Sequence, residues 1–226
     1  MGNSDSIDFN LLNLYTSWYN FRRGKRGSRE ILAFQYLLEP NLFKVQKQLE
    51  DKNYQHGKYA YYTVQDSKKR EIAVAAVQDR VIHRLLYDYL LPIWDKHFIF
   101  DAWSCRPDKG LHAAIERTQK YMSANPRAWV WRGDIIKFFD SVDQAVLLHA
   151  IKRRVTCPDA LWLIEHILSS YNKNQKDVGM PIGNLTSQIF ANIYLNEFDR
   201  YMSYKVTPPP DAIYKVRRRL VMFCKK

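Results

Sequence analysis

No run of apolar residues in this chain approaches the roughly 20 that a membrane-spanning helix needs, and the opening MGNSDSIDFN is polar and acidic where a secretory leader is basic and then apolar. The expectation is a cytoplasmic protein with no membrane partner. Cysteine is scarce. Cys105, Cys157 and Cys224 lie far apart with no CxxC pair, which argues against a zinc knuckle and against a disulfide framework. The six histidines are scattered, no two of them four apart on one predicted helix, so they read as core or surface imidazoles rather than metal ligands. Internal repeats and low-complexity linkers are missing too. The last deficit is acid: 23 Asp+Glu against 35 Lys+Arg leave a formal net charge of +12, the balance of a protein that meets phosphate backbones.

What is present is enough apolar material for a core, 46% hydrophobic and 14% aromatic residues in 226. Spacing predicts a helix after Asp8, with Leu11, Leu12, Tyr15, Trp18 and Tyr19 as its apolar stripe. Four cations and two glycines follow between Phe21 and Ser28, and Ser28 is positioned to cap a second helix carrying Ile31, Leu32 and Phe34. Pro40 is expected to end it and Asn41 to cap a third, with Leu42, Val45 and Leu49 on one face. From Tyr59 to Val64 and from Arg70 to Ala75 the pattern is strand-like around a polar turn, a hairpin. Helices are predicted over 78–94, over 111–122 on Leu111, Ile115, Thr118 and Met122, and over 185–202, with a buried strand over 128–134. Asp140 or Ser141 is the expected cap of a helix with Val146, Leu147 and Ile151 inward, and Pro158 opens another. Three prolines between Thr207 and Asp211 make a rigid break before a short strand-like tail.

Two clusters carry chemistry. The first runs from Arg132 to Asp140: Asp134 ends the buried strand, where a rigid backbone can hold a carboxylate for a divalent ion, although an Asp at such a place also caps helices. The second runs from Val178 to Leu195, a glycine-containing turn feeding a helix, with small residues that admit another molecule's backbone. Upstream lie Lys69 and Arg70 and then Gln78, Asp79, Arg80 and His83.

In this order and spacing these clusters resemble the bacterial reverse transcriptases, relatives of the group II intron and diversity-generating retroelement enzymes. The likeness runs from about Leu14 to Phe223 and includes the stretch from Ser104 to His112. It implies an α+β right-hand polymerase fold, with an N-terminal extension and fingers over 1–127 and a partial palm over 128–226. The implied activity is RNA-directed DNA polymerisation by two-magnesium nucleotidyl transfer. By position, Asp134 is the catalytic, metal-binding carboxylate, with the carbonyl of Ile135 as a second oxygen ligand for Mg2+ or Mn2+. Lys69 and Arg70 correspond to cations that grip the triphosphate. Phe139 corresponds to the aromatic under the incoming sugar, and Ile182 and Gly183 to the nucleotide pocket. Arg22, Arg23, Lys25 and Arg26, with Ser187 and Gln188, correspond to template-binding positions. The implied partners are an RNA template, an RNA–DNA hybrid, deoxynucleoside triphosphates, and an accessory protein or RNA of a retroelement.

Two departures stand out. Ile182 and Gln188 replace the commoner Gln and Pro, a form similar to that of diversity-generating retroelement enzymes; losing the amide removes a hydrogen-bonding group from the pocket. The larger departure is at the hairpin expected to carry Tyr-x-Asp-Asp. Here Tyr214 is followed by Lys215, Val216 and Arg217, Arg218 and Arg219, so the arms remain and the acids are replaced by arginine. The reading is of a truncated family member without that motif or a thumb. The alternative is a catalytically inactive remnant or subunit that binds RNA.

Overall fold

The computed structural model of the chain describes residues 6–25, 27–65, 69–126, 129–171, 177–203, 213–216 and 219–224. They form an α+β fold of two compact units, each built from two stretches of sequence: residues 1–93 with 139–187, and residues 94–138 with 188–226. The expected turn residues Asp66, Ser67 and Lys68, the template candidate Arg26, the proline run, and Arg217 and Arg218 lie outside the described residues.

The first unit opens with α1 (Leu11–Arg22), α2 (Arg29–Tyr36) and α3 (Leu38–Glu50). Asn10 starts α1, its side-chain oxygen accepting the Asn13 N–H at 2.8 Å. The buried face of α1 is Leu14, Trp18 and Phe21, whereas Leu12, Tyr15 and Tyr19 are exposed. Two apolar stripes thus run along this helix at three- and four-residue steps, and periodicity alone cannot choose between them. Trp18 decides it, because its ring packs 5.0 Å from that of Phe34 on α2.

Pro40 does not end a helix. It lies in the first turn of α3, where the missing N–H has no intrahelical acceptor to lose. Asn41 is therefore inside that helix, and its side-chain amide donates to the Phe34 carbonyl at 3.0 Å, tying α3 to α2. The hairpin is as expected: β1 (Ala60–Gln65) pairs antiparallel with β2 (Lys69–Val74), from Ala60 opposite Val74 to Gln65 opposite Lys69. The long α4 (Val77–Trp94) supplies Val81, Ile82, Leu86 and Leu90 to the core. Behind it come α6 (Gln144–Lys152) and α7 (Pro158–Ser169), the latter with proline in its first turn.

The cap of α6 is neither Asp140 nor Ser141. Residues 138–140 form a short 3-10 turn, which moves the helix start onward to Asp143. The Asp143 carboxylate accepts the N–H groups of Ala145 at 2.8 Å and Val146 at 3.0 Å. Val146 itself is exposed, and Leu147 and Ile151 point inward.

The second unit holds α5 (Leu111–Ala124), β3 (Trp129–Asp134), most of α8 (Leu185–Tyr201), and the hairpin β4 (Ile213–Val216) with β5 (Arg219–Cys224). The sheet order is β3-β5-β4, all antiparallel, so β5 is the central strand. The Leu111, Ile115 and Met122 side of α5 is exposed, and its inward residue is the small Ala114. Arg106 organises the connection between α4 and α5. Its guanidinium donates to the Asp95 carboxylate at 2.6 Å and to the carbonyls of Ile99 at 2.9 Å, Ala102 at 3.0 Å and Asp95 at 3.2 Å. Among the described residues no helix is long and apolar enough to cross a membrane.

The capping geometry yields a stability prediction. Asp143→Ala is expected to lower unfolding free energy by about 1 kcal/mol in urea titration, and Asp143→Asn, which keeps an acceptor oxygen, by much less.

Candidate nucleotide and nucleic-acid site

In the first unit, residues 177–187 are held as a backbone platform. The Gly179 N–H donates to the Val142 carbonyl at 2.7 Å and the Met180 N–H to the Phe139 carbonyl at 2.7 Å. The buried Gln144 side chain donates to the Gly179 carbonyl at 2.9 Å. Further along, the Ala73 N–H of β2 donates to the Ile182 carbonyl at 2.8 Å, and the Asn184 amide returns a bond to the Ala73 carbonyl at 3.0 Å. Gly179 (φ +90°) and Gly183 (φ +117°) have backbones that side-chain-bearing residues rarely adopt. At Gly183 a Cβ would stand 2.6 Å from Cγ2 of Ile72, and at Gly179 one would stand 3.3 Å from the Phe139 carbonyl oxygen. Both glycines are thus set by close approach as well as by φ.

This arrangement brings Phe139, Ile182 and Gly183 into one framework with β2. Phe139 is buried, and Ile182 is half-buried. Lys69 and Arg70 are both exposed at the far end of β2. Strand alternation separates them: Arg70 shares the face of Ile72, which meets Gly183, while Lys69 shares the face of Ala73. Ser187 is 1% exposed, so its hydroxyl packs into the start of α8 and is not presented at the surface.

A buried polar chain runs behind the platform. The Thr186 hydroxyl lies 2.6 Å from Nδ1 of His83, whose Nε2 lies 3.0 Å from Nε2 of His56. Nδ1 of His56 lies 2.6 Å from the Gly57 carbonyl. Asp79 accepts from the Tyr54 hydroxyl at 2.8 Å and from the Gly57 N–H at 3.1 Å. Burial, then the neighbouring His56, lowers the His83 pKa to about 3, so its imidazole is neutral at physiological pH. Burial and the Asp79 carboxylate push the Tyr54 hydroxyl well above its ordinary value.

Of the predicted template cations, Arg22, Arg23 and Lys25 sit at the end of α1. Arg22 donates to the Gln35 side chain at 2.9 Å, and Arg23 is exposed. Lys25 joins two residues not assigned to a site from sequence, Arg80 and Arg84 of α4. The Lys25 ammonium and the Arg80 guanidinium lie 4.5 and 5.3 Å from the centre of the Phe21 ring. Lost solvation, then Arg80, then Arg84 lower the Lys25 pKa. Glu30 at 2.8 Å from Arg80 and Asp88 at 2.9 Å from Arg84 partly offset the charge. Three cations thus share two exposed or half-exposed carboxylates. Arg80 spaced four before Arg84 was visible in the sequence, but their convergence on Lys25 is tertiary.

In the second unit, Asp134 is exposed at the end of β3 and is followed by exposed Ile135 and Ile136. Strand register sets Arg219 of β5 directly opposite Asp134. Gln188, exposed at the start of α8, accepts from the Cys105 thiol at 2.8 Å, and the Asn192 amide donates to the Ser104 carbonyl at 2.8 Å. A two-magnesium site needs several hard oxygen ligands from neighbouring strands. Among the described residues no group of three His, Cys, Asp or Glu is suited to hold a metal ion. One carboxylate with an arginine at the paired position does not fit a pair of divalent ions.

Comparison with known proteins agrees with these features. Residues 43–216 match the family model described as reverse transcriptase (RNA-dependent DNA polymerase). The chain is 27% identical to protein YkfC of Escherichia coli over 63% of its own length and 39% of that protein's. It is 26% identical to the group II intron-encoded protein LtrA of Lactococcus lactis over 73% of its length and 28% of that protein's. It therefore spans well under half of either curated relative. A solved structure titled as a partial Cas6-RT-Cas1–Cas2 complex superposes with a TM-score of 0.54 at 23% identity, covering 96% of this chain and 37% of that one. At that identity the likeness is one of fold, and it is a reverse-transcriptase fold.

The close approach at Gly183 is testable. Gly183→Ala should destabilise the protein by about 1–3 kcal/mol, since the added methyl meets Ile72 and the backbone is strained. Adding Ile72→Ala should restore only part of that loss, because φ remains +117°. Full restoration by the double variant in thermal unfolding would mean that crowding alone sets this glycine.

Proposed function

The chain belongs to the reverse transcriptase family, and from that membership we propose that it acts as the fingers and partial palm of an RNA-directed DNA polymerase. In this reading it grips an RNA template or RNA–DNA hybrid and an incoming deoxynucleotide, while nucleotidyl transfer is beyond its own residues. The fingers would comprise residues 1–127 and the palm residues from 128 onward.

The observation that carries this reading is the pairing of β3 with β5. In this reading Asp134, at the end of β3, matches the family's first metal-binding carboxylate, and the opposed strand offers Arg219 in register with it. A carboxylate there would add an oxygen ligand; an arginine adds positive charge, which opposes a divalent ion. Grip and chemistry are therefore separable here. The platform formed by Phe139, Ile182 and Gly183 beside β2 supports binding of a nucleotide sugar and base, and Arg70 on the Gly183 side of β2 supports a bidentate contact to phosphate oxygens. Lys69, on the other face of the strand, is suited to a different phosphate group.

Template binding is supported by the net charge of +12 and by the cations around Phe21. Arg80 and Arg84 join Arg22, Arg23 and Lys25 in this reading. The curated relatives include group II intron-encoded proteins, and the solved relative is titled as a complex with other proteins. By analogy, a retroelement protein or RNA is a fitting partner for this chain.

Two outcomes follow. Binding to a primed RNA template should weaken steeply between about 50 and 200 mM salt, and Lys25→Ala, Arg80→Ala and Arg84→Ala should each reduce the salt slope by about one. Lys52→Ala, at an ammonium that stands outside the Lys25, Arg80 and Arg84 cluster and is paired with Asp159, should leave it unchanged. In a primer-extension assay with deoxynucleotides and magnesium or manganese, the chain alone should make no templated product. A product ladder that disappears with Asp134→Ala would overturn the separation of grip from chemistry.

A further inference from the structure

The buried chain from Thr186 to Gly57 has a direction, and the direction can be read from its fixed end. A carbonyl oxygen only accepts, so the Gly57 carbonyl at 2.6 Å requires the proton on Nδ1 of His56. Nδ1 of His56 also lies 3.8 Å from the Asp79 carboxylate; with a single proton on the ring, held at Nδ1, Nε2 is an acceptor. Nε2 of His83, 3.0 Å away, must therefore carry the His83 proton. That leaves Nδ1 of His83 as an acceptor, and the Thr186 hydroxyl, 2.6 Å from it, must donate. With one proton on each imidazole, a single assignment satisfies every atom along the line.

We propose that Thr186 and His83 are positioning residues for residues 182–187, holding that loop against β2 through a directional relay that ends on the Gly57 carbonyl. The claim that a nucleotide benefits rests on the reading of this loop as part of the nucleotide pocket; the hold on the loop does not.

The surroundings of each link favour rigidity. Thr186 and His83 are each 1% exposed, so neither has a bulk-water partner to fall back on, and an unmade bond at either would be a buried, unsatisfied polar group. The far end is anchored twice more. The Gly57 N–H donates to Asp79 at 3.1 Å, and a Cβ on Gly57 would come within 2.9 Å of the same carboxylate, so only glycine lets Asp79 approach. Asp79 is itself fixed by the Tyr54 hydroxyl, and the His56 ring packs 4.7 Å from that of Tyr59. Tyr59 is tied in turn to Ser170 at 2.9 Å.

The near end matters for the site. Thr186 comes two residues after Asn184 and three after Gly183, which meet β2 through the Ala73 bonds and contact with Ile72. Without the relay, nothing among the described hydrogen bonds fixes the side chain of Thr186 and the loop end it belongs to. With it, the loop is clamped at both ends: by Phe139 and Val142 before Ile182, and by His83 after Asn184.

The amide of Ala73 reports this clamp directly, because it donates to Ile182. Thr186→Val keeps the shape and removes the donor, and Thr186→Ser keeps the donor. In amide hydrogen exchange, Thr186→Val should speed Ala73 by about tenfold while Leu49 in α3 is unchanged, and Thr186→Ser should stay within about twofold of the parent. His83→Leu should match Thr186→Val if it folds. In 15N-resolved imidazole spectra the parent should show His83 protonated on Nε2 and His56 on Nδ1. Unchanged Ala73 exchange in Thr186→Val, acceleration only in step with Leu49, or the opposite tautomer at His83 would overturn the proposal. Binding of dTTP supplies the separate arm. It should weaken in Thr186→Val and not in Thr186→Ser; a parent protein that binds no dTTP while the exchange results hold would sink the nucleotide reading and leave the relay standing.

Discussion

The approach of the 179–184 backbone to β2 and to the Phe139 carbonyl is the constraint on which the first unit depends. A strand edge and a loop can exchange bonds such as Ala73 to Ile182 at 2.8 Å only if no side chain stands between them. Gly183, over Ile72, and Gly179, over the Phe139 carbonyl, supply that vacancy. Once the two backbones are this close, the polar groups they bury must be paired. The Gln144 amide at one end and the Asn184 amide at the other do that pairing. Glycine content, buried amides and loop path are thus one requirement expressed three times.

Charge is used in two ways in this protein, and the structure separates them. Arg106 has its guanidinium turned inward, with four bonds to Asp95, Ile99 and Ala102, so it closes a loop and has little left to offer a ligand. Lys109 lies 3.6 Å from the Phe100 ring centre and donates to the Phe100 carbonyl at 2.8 Å, again an internal use. Lys25, Arg80 and Arg84 differ: Lys25 and Arg80 share the Phe21 ring, Arg84 adds its charge to theirs, and two carboxylates stand among the three cations. Burial, then the like charges of Arg80 and Arg84, lower the Lys25 pKa, and an arriving phosphate would relieve the repulsive part. The overall charge of +12 did not distinguish these two uses, since both kinds of residue count equally in it.

Much of the architecture was legible in the sequence because it rests on local pattern. The hairpin around the turn after Gln65, the strand ending at Asp134, and the helices ending at Trp94 and Tyr201 follow from period and punctuation. What was not legible depends on the partner across the gap. The inward face of α1 was chosen by Phe34 on another helix, not by the spacing of Tyr15 and Tyr19. The cap of α6 moved from Asp140 to Asp143 because a 3-10 turn intervened, a choice that local propensity leaves open. The candidate site divides the same way. Gly183 and Phe139 could be singled out by motif, whereas nothing in the spacing of His56, His83 and Thr186 implies that three distant residues meet.

That division bears on which residues the fold needs to keep its shape. The residues that keep the platform in shape are glycines, a buried glutamine, an asparagine and a histidine pair, and each makes bonds inside the first unit. Asp134 contributes to none of these bonds; it is exposed at a strand end in the second unit. Its register partner lies in β5, which pairs with β3 and β4 through backbone groups that arginine and aspartate supply alike. A carboxylate pair for metal ions is costly to assemble, since two like charges must be held close, and removing one relieves repulsion without unmaking a ladder bond. Selection for folding therefore does nothing to retain the acidic pair. Only selection for nucleotidyl transfer would.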